Sequence, residues 1–334
     1  MSELRRDPVD GKWVIISAER GKRPVDFQTN SYSDTSAANC PFCTGNEGGT
    51  PPEIFAIRDP ESQPNQKGWK LRVIPNKYPA LRVEDKLERE GVGYFDRMTG
   101  TGAHEVIIET PDHNEKRSTM PLEQTEMVFR AMRERIVDLR HDRRMKYVMV
   151  FKNYGDAAGA SLAHPHTQII ALPVMPQKIE VEMAGARDYH RYKERCIFCD
   201  IIHQEAEMKQ RVVSENDGFI AICPWAPIFP FEVWILPKQH DSCFEDCDPA
   251  ELKRLASISR EVHKRLDAAL SVPNYNSILH TSPFDEQYND YYHWHIEIMP
   301  RLTRTAGFEY GSGFFINPVP PEEAAQFLRE VEID

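Results

Sequence analysis

Residues 161–170 read SLAHPHTQII: two histidines separated by a single proline, with a glutamine two places after the second. In an extended strand, side chains at i, i+2 and i+4 share one face, so His164, His166 and Gln168 are expected to line one side together. Pro165 fixes its own φ near −65° and removes one backbone donor, which stiffens the link between the two imidazoles. A second stretch repeats the spacing. HWHIEIM, from residue 293, places His293, His295 and Glu297 on one face in the same way.

Working outward from these two stretches, the order of elements is the same twice. Each half opens on a cysteine pair with an aromatic inside it, Cys40-Pro-Phe-Cys43 and Cys196-Ile-Phe-Cys199. An apolar, strand-like segment follows, RVIPNKYPAL at 72–81 and GFIAICPWAPIF at 218–229. A second strand begins with Glu-Val and runs through a proline to a histidine: EVIIETPDH, ending at His113, and EVWILPKQH, ending at His240. Then comes one long amphipathic helix per half. Val128, Phe129, Met132, Ile136 and Leu139 recur at helical spacing in the first, and Leu252, Leu255, Ile258, Val262 and Leu266 in the second, which Asp248 caps and Pro249 opens. The repetition predicts a duplicated α+β unit, with residues 1–180 and 190–334 as its halves and the junction near 175–195.

Bulk properties narrow the class. At 334 residues, 40% hydrophobic and 28% charged, the chain has the composition of a globular protein with room for two real cores. It offers neither a signal-length apolar N-terminal stretch nor the roughly 18 consecutive apolar residues of a membrane span, so a cytoplasmic protein is expected. A formal net charge of −11 disfavours a polyanionic nucleic acid as partner, while leaving a small phosphorylated metabolite open. Seven cysteines, an odd number with no secretion signal, argue against a disulfide framework and for metal binding by the two pairs. Cys223, Cys243 and Cys247 are left over, and burial as small hydrophobes is expected of them.

Two thiolates, the proline-flanked histidine and the first histidine of the His-x-His stretch make a Cys2His2 set suited to a closed tetrahedral zinc site. The expected sets are Cys40, Cys43, His113 and His164, then Cys196, Cys199, His240 and His293. With His164 on a metal, His166 is the free imidazole beside it. A neutral imidazole is nucleophilic near pH 7 and can carry a covalent intermediate. Just upstream, NYGDAAGAS at 153–161 is a loop of small residues whose backbone can approach a phosphate closely.

These motifs, with RGKRP at 20–24 and the tail HWHIEIMPRLTRTAGFEYGSGFFINP, resemble the galactose-1-phosphate uridylyltransferase family, the transferase branch of the histidine-triad superfamily. The likeness runs from about residue 3 to 330. It implies two tandem units, each an antiparallel sheet with a long packed helix, the sheets joined into one structure. It also implies ping-pong transfer of UMP from UDP-glucose to galactose 1-phosphate through a covalent uridylyl-histidine, a step of galactose metabolism. By the resemblance His166 is the nucleophile and Gln168 a donor to the phosphoryl oxygens. Asn153, Gly159 and Ser161 would meet the phosphates, Arg20, Arg23 and Asn76 the nucleotide, and Phe42 the uracil. Zinc is expected in both sets, although some members carry iron on histidine and carboxylate ligands at their second site. Members form homodimers with shared active sites, so GFEYGSGFFINP is expected to act in trans.

Gln168 bears on the reaction type. Relatives with a third histidine there hydrolyse nucleotidyl substrates, whereas an amide supplies no acid proton. The second unit has Glu297 at that place and no small-residue loop, so it is expected to be structural or substrate-lining. Lys77 after Asn76, and a tail lacking the usual lysine and final tyrosine, depart from the better-known members. A sister activity, adenylyl transfer from ADP-glucose to phosphate, therefore stays open. A histidine-triad hydrolase, a zinc-stabilised binding module without chemistry and a redox role for the CxxC pairs remain as alternatives from other classes.

Overall fold

The computed structural model describes residues 2–20, 37–286 and 289–333. Its first unit supplies strands β3 (Phe55–Arg58), β4 (Trp69–Pro75), β7 (Ala103–Ile108), β8 (Tyr147–Tyr154) and β9 (His166–Leu172). The second supplies β10 (Val212–Glu215), β11 (Phe219–Ile222), β12 (Val233–Pro237), β13 (Tyr275–His280) and β14 (His295–Pro300). Together they form one ten-stranded sheet in the order β10-β11-β12-β14-β13-β8-β9-β7-β4-β3. Read from either end, the order is that of the same unit. The two halves join where β13 and β8 pair antiparallel, Tyr275 opposite Tyr154 and Leu279 opposite Val150.

Proline ends several of these strands sooner than the apolar patterning predicts, because a residue without an N–H cannot extend a ladder. β4 stops at Pro75 and not at 81, and β11 stops at Ile222, two residues before Pro224. Likewise β9 starts at His166, leaving His164 in the turn before Pro165. The expected shared strand face therefore holds for His166 and Gln168, while His164 is turned away toward the cysteines.

Helices α1 (Leu122–Leu139) and α4 (Pro249–Leu270) cover one face of the sheet and pack on each other. The apolar positions singled out by spacing, Val128 to Leu139 and Leu252 to Leu266, lie in one buried cluster with the inner strand residues. At roughly 1.5–3 kcal/mol for each fully buried large aliphatic side chain, this layer is the main source of stability. α4 starts on a reciprocal cap: Asp248 Oδ1 accepts from Glu251 N, and Glu251 Oε2 accepts from Asp248 N, both at 2.7 Å.

The opposite face is covered unevenly. Over the second unit lie α2 (Gln177–Lys193) and α3 (Ile197–Met208), burying Ile179, Met183, Phe198 and Trp234. Over the first unit, among the described residues, lies a small cluster around Cys40, Phe42, Ile74 and Val106. At one end β1 (Glu3–Arg6), β2 (Trp13–Ile16) and β15 (Phe315–Asn317) form a separate three-stranded sheet, and β5 (Arg89–Val92) with β6 (Phe95–Met98) forms an exposed hairpin. The short helix α5 (Gly307–Ser312) precedes β15, and α6 (Pro321–Glu330) ends the chain. No described helix is long and apolar enough to cross a membrane.

Candidate active site and metal centres

Both expected metal sets assemble. The ligand atoms of Cys40, Cys43, His113 and His164 lie within 4.8 Å of one another, and so do those of Cys196, Cys199, His240 and His293. In the first set Cys43 Sγ is 3.3 Å from His113 Nδ1 and 3.5 Å from His164 Nδ1. In the second, Cys199 Sγ is 3.4 Å from His240 Nδ1 and 3.7 Å from His293 Nδ1. The far ring nitrogens of three of these histidines donate to carbonyls: His164 Nε2 to Thr110, His293 Nε2 to Pro237 and His240 Nε2 to Asn289. That fixes the tautomer with Nδ1 as the ligand atom, as metal-binding histidines require. Burial, then the neighbouring Cys40, pushes the Cys43 thiol up to about 11. Two thiolates so close need a cation, and a divalent metal on two sulfurs and two nitrogens meets that need. The donor set fits zinc.

His166 sits at the start of β9, on the open face, 5% exposed. Its Nδ1–H donates to the carbonyl of His164 at 2.8 Å, which leaves the lone pair on Nε2. Burial first, and then the Lys152 cation, pushes its pKa below the usual histidine value, so the ring is neutral at neutral pH. Lys152 lies beneath the strand and donates to the His166 carbonyl at 3.2 Å and to Glu109 Oε1 at 2.9 Å. Thr167 and Arg117 also hold Glu109, so the backbone carrying His166 rests on a buried charge network.

In front of His166 is a cleft of about 470 Å³ lined by Phe42, Asn76, Lys77, Ser161, Leu162 and Gln168, among others. Phe42 stands edge-on to the His166 ring, with centroids 5.5 Å apart. Thus Phe42, Asn76, Ser161, His166 and Gln168 are brought to one place. Gly159 lies in the adjoining loop with φ of +84°, and Asn153, at the end of β8, braces that loop. Gly155 in the same loop has φ of +85° and packs so close to Asn274 that a Cβ would clash. Arg23 and the side chain of Arg20 fall outside what is described. Among the described residues the cleft wall draws nothing from α5 or β15, where Phe308 and Tyr310 are exposed.

The second unit's equivalent place is filled. α2 lies across β13 and β14, and Lys178 Nζ reaches Glu297 Oε2 at 2.8 Å. Glu182 accepts from His280 Nδ1 at 2.8 Å, and His280 Nε2 is 3.3 Å from Glu297. His295, 100% shielded, stacks between Trp234 and His280 with centroids at 5.2 Å and 4.6 Å. Glu182, His280 and His295 also form a third set with metal-binding spacing. The CxxC pair was expected in the place of a histidine–carboxylate site, whereas the structure holds both clusters, at separate positions. Glu182 and His280 were missed because neither belongs to a repeated motif. Cys223, Cys243 and Cys247 are buried and in no disulfide among the described residues.

Residues 1–176 match the family described as galactose-1-phosphate uridyl transferase, N-terminal domain, and residues 182–328 match its C-terminal domain. The chain belongs to this family. Among its members, an ADP-glucose phosphorylase from Arabidopsis thaliana is 38% identical over 99% of this chain and 93% of that protein. A galactose-1-phosphate uridylyltransferase from Thermotoga maritima is 34% identical over the whole of both. The crystal structure of an Arabidopsis thaliana ADP-glucose phosphorylase with bound ADP-glucose superposes with a TM-score of 0.84 at 35% identity, covering all of both chains. The family's nucleotidyl chemistry is thus joined here to a cleft with a neutral, oriented histidine at its base.

Proposed function

We propose that the protein transfers a nucleoside monophosphate from a nucleotide sugar to a phosphate-bearing acceptor through a covalent bond to His166. The observation that carries this reading is the His166 ring: buried, neutral, its Nδ1–H committed to the His164 carbonyl and its Nε2 free beside the cleft. Nε2 attacks the α-phosphorus, a new N–P bond forms, and the P–O bond to the departing sugar 1-phosphate breaks. Gln168 and Ser161 hydrogen-bond the phosphoryl oxygens, with Asn153 and Gly159 shaping the loop beside them. Phe42, Asn76 and the arginines Arg20 and Arg23 hold the nucleotide. An oxygen of the acceptor phosphate then attacks phosphorus and releases His166.

Two donor–acceptor pairs fit this chemistry. UDP-glucose with galactose 1-phosphate is supported by the family and by the 34% identical uridylyltransferase. ADP-glucose with inorganic phosphate is supported by the 38% identical phosphorylase and by the ADP-glucose bound in the 35% identical structure. Zinc in each Cys2His2 set would lock the CxxC segment to the following strands, and in the first unit His164 passes that rigidity through Pro165 to His166. A cytoplasmic homodimer completes the reading, the exposed Phe308 and Tyr310 of α5 reaching the partner's cleft.

Intact mass decides it. After mixing with UDP-glucose, or separately with ADP-glucose, and no acceptor, the protein gains one nucleotidyl group, and His166→Ala gains none. Discharge by galactose 1-phosphate assigns the uridylyltransferase, and discharge by phosphate assigns the phosphorylase. No adduct from either donor overturns the covalent mechanism.

A further inference from the structure

His104 lies on β7, facing Ile170 across the β7–β9 ladder and two steps from the pair Val106–Gln168, on the same face. Its ring nitrogens have unequal partners. The backbone N–H of Ala80 donates to Nδ1 at 3.2 Å. An amide N–H can only donate, so Nδ1 is an acceptor and the ring proton sits on Nε2. Nε2 lies 2.9 Å from Gln168 Oε1, and the bond therefore runs from His104 to the glutamine carbonyl. Asn76 Nδ2 also lies 3.1 Å from Nε2; with the ring proton there, that approach is donor to donor and carries no hydrogen bond, and the Ala80 N–H at Nδ1 decides the tautomer. Asn76 is held on the same side: its Oδ1 accepts from Tyr78 N at 2.9 Å, and its own N–H donates to the His104 carbonyl at 2.8 Å.

With Oε1 taken up by His104, Gln168 has only its NH2 group to turn toward the cleft that His166 and Ser161 share. Reversing the amide would set donor against donor at His104. A free amide, by contrast, can present its oxygen, which repels phosphoryl oxygens and accepts a hydrogen bond from water, holding it near the phosphorus. We propose that His104 is a positioning residue that makes Gln168 a donor only, and so favours nucleotidyl transfer to a phosphate acceptor over transfer to water, a role that rests on the nucleotidyl-transfer reading. Nothing in the repeat marks it, because the second unit has no counterpart pair.

Three substitutions at this one position separate orientation from mere packing. His104→Gln keeps a donor where Nε2 was. His104→Phe keeps the ring and removes the donor. His104→Glu offers an acceptor, which draws the Gln168 NH2 group away and turns its oxygen toward the phosphoryl group. The readouts are the rate of adduct formation, the donor concentration at half-saturation, and the ratio of acceptor discharge to water discharge. Adduct formation is expected to fall about tenfold in His104→Phe and on the order of a hundredfold in His104→Glu, the scale of a lost oxyanion donor. His104→Gln is expected within about threefold of wild type, half-saturation moves little in any variant, and water discharge rises in His104→Phe. Wild-type rates in both the Phe and Glu variants, or equal losses in all three, overturn the role. Should the Phe variant fail to fold, the Gln and Glu variants, nearly equal in size, carry the comparison by themselves. Lack of an adduct in the wild type removes the transfer reading itself, and adducts in the wild type with unaffected variants remove only the role of His104.

Discussion

Asn276, on β13 of the second unit, donates from one amide nitrogen to Asn153 Oδ1, at the end of β8, at 2.8 Å and to the Ala158 carbonyl, in the first unit's loop before His166, at 2.9 Å. The second half thus holds the shape of the first half's small-residue loop. Asn276→Ala leaves those acceptors without a donor, which costs about 1 kcal/mol of stability. The rate of adduct formation is expected to fall about tenfold, because a loosened loop misplaces its contacts. Denaturant unfolding and the mass assay measure the two effects, and an unchanged rate would remove the bracing role.

The metal sets differ in what they support. Elemental analysis of the wild type is expected to give about two zinc per chain, and Cys43→Ala and Cys199→Ala about one each. Only the first set includes His164, whose carbonyl orients His166. Cys43→Ala should therefore abolish the adduct, whereas Cys199→Ala lowers thermal stability and leaves most of the adduct rate.

The buried pair under the nucleophile predicts a stability loss. Lys152 and Glu109 are both shielded from water and 2.9 Å apart. Lys152→Met strips one partner from a buried ion pair and is expected to cost about 3 kcal/mol, measured by urea unfolding. A loss below about 1 kcal/mol would mean that Arg117 alone satisfies Glu109.

The cluster beneath α2 predicts a pH dependence. Burial pulls His280 down, but Glu182 and Glu297 overcome it and push its pKa up to about 9. Against the same burial, His280 and His295 hold Glu182 down at about 2, so it stays charged across the neutral range. A histidine bound more tightly to its proton when folded gives full stability below about pH 6.5, and that stability fades as pH rises through about 9. Lys178, Tyr292 and His295 complete the surroundings. The wild type is expected to lose on the order of 3 kcal/mol over this interval. His280→Gln should start less stable and show a flatter profile in urea titrations from neutral to alkaline pH.

The repeat, both Cys2His2 sets, the place of His166 beside them and the long helices were all legible in the sequence. Each rests on residue types at fixed short spacings, and α-helical or strand periodicity carries such spacings directly into space. Strand ends were less legible, since the apolar runs continue past the prolines that stop β4 and delay β9. His104, Lys152, Glu109, Asn276, Glu182 and His280 were not legible as site residues. Each acts on a partner brought near only by strand pairing or helix packing, as Asn276 is brought to Asn153.

By itself the sequence determined that two similar units exist and that HPHTQ sets a second imidazole beside one that joins a Cys2His2 set. The tertiary structure decided which unit has an open site. In both, the second histidine of His-x-His starts a strand on the same face of one continuous sheet. Over the second unit α2 lies on that face, and Lys178 and Glu182 neutralise the groups around His280, His295 and Glu297. Over the first no described helix intervenes, and His166 faces a cleft. The difference follows from where the linking helix packs: α2 buries Ile179 and Met183 against the second unit's core, which closes one histidine face and leaves the other free to meet a substrate.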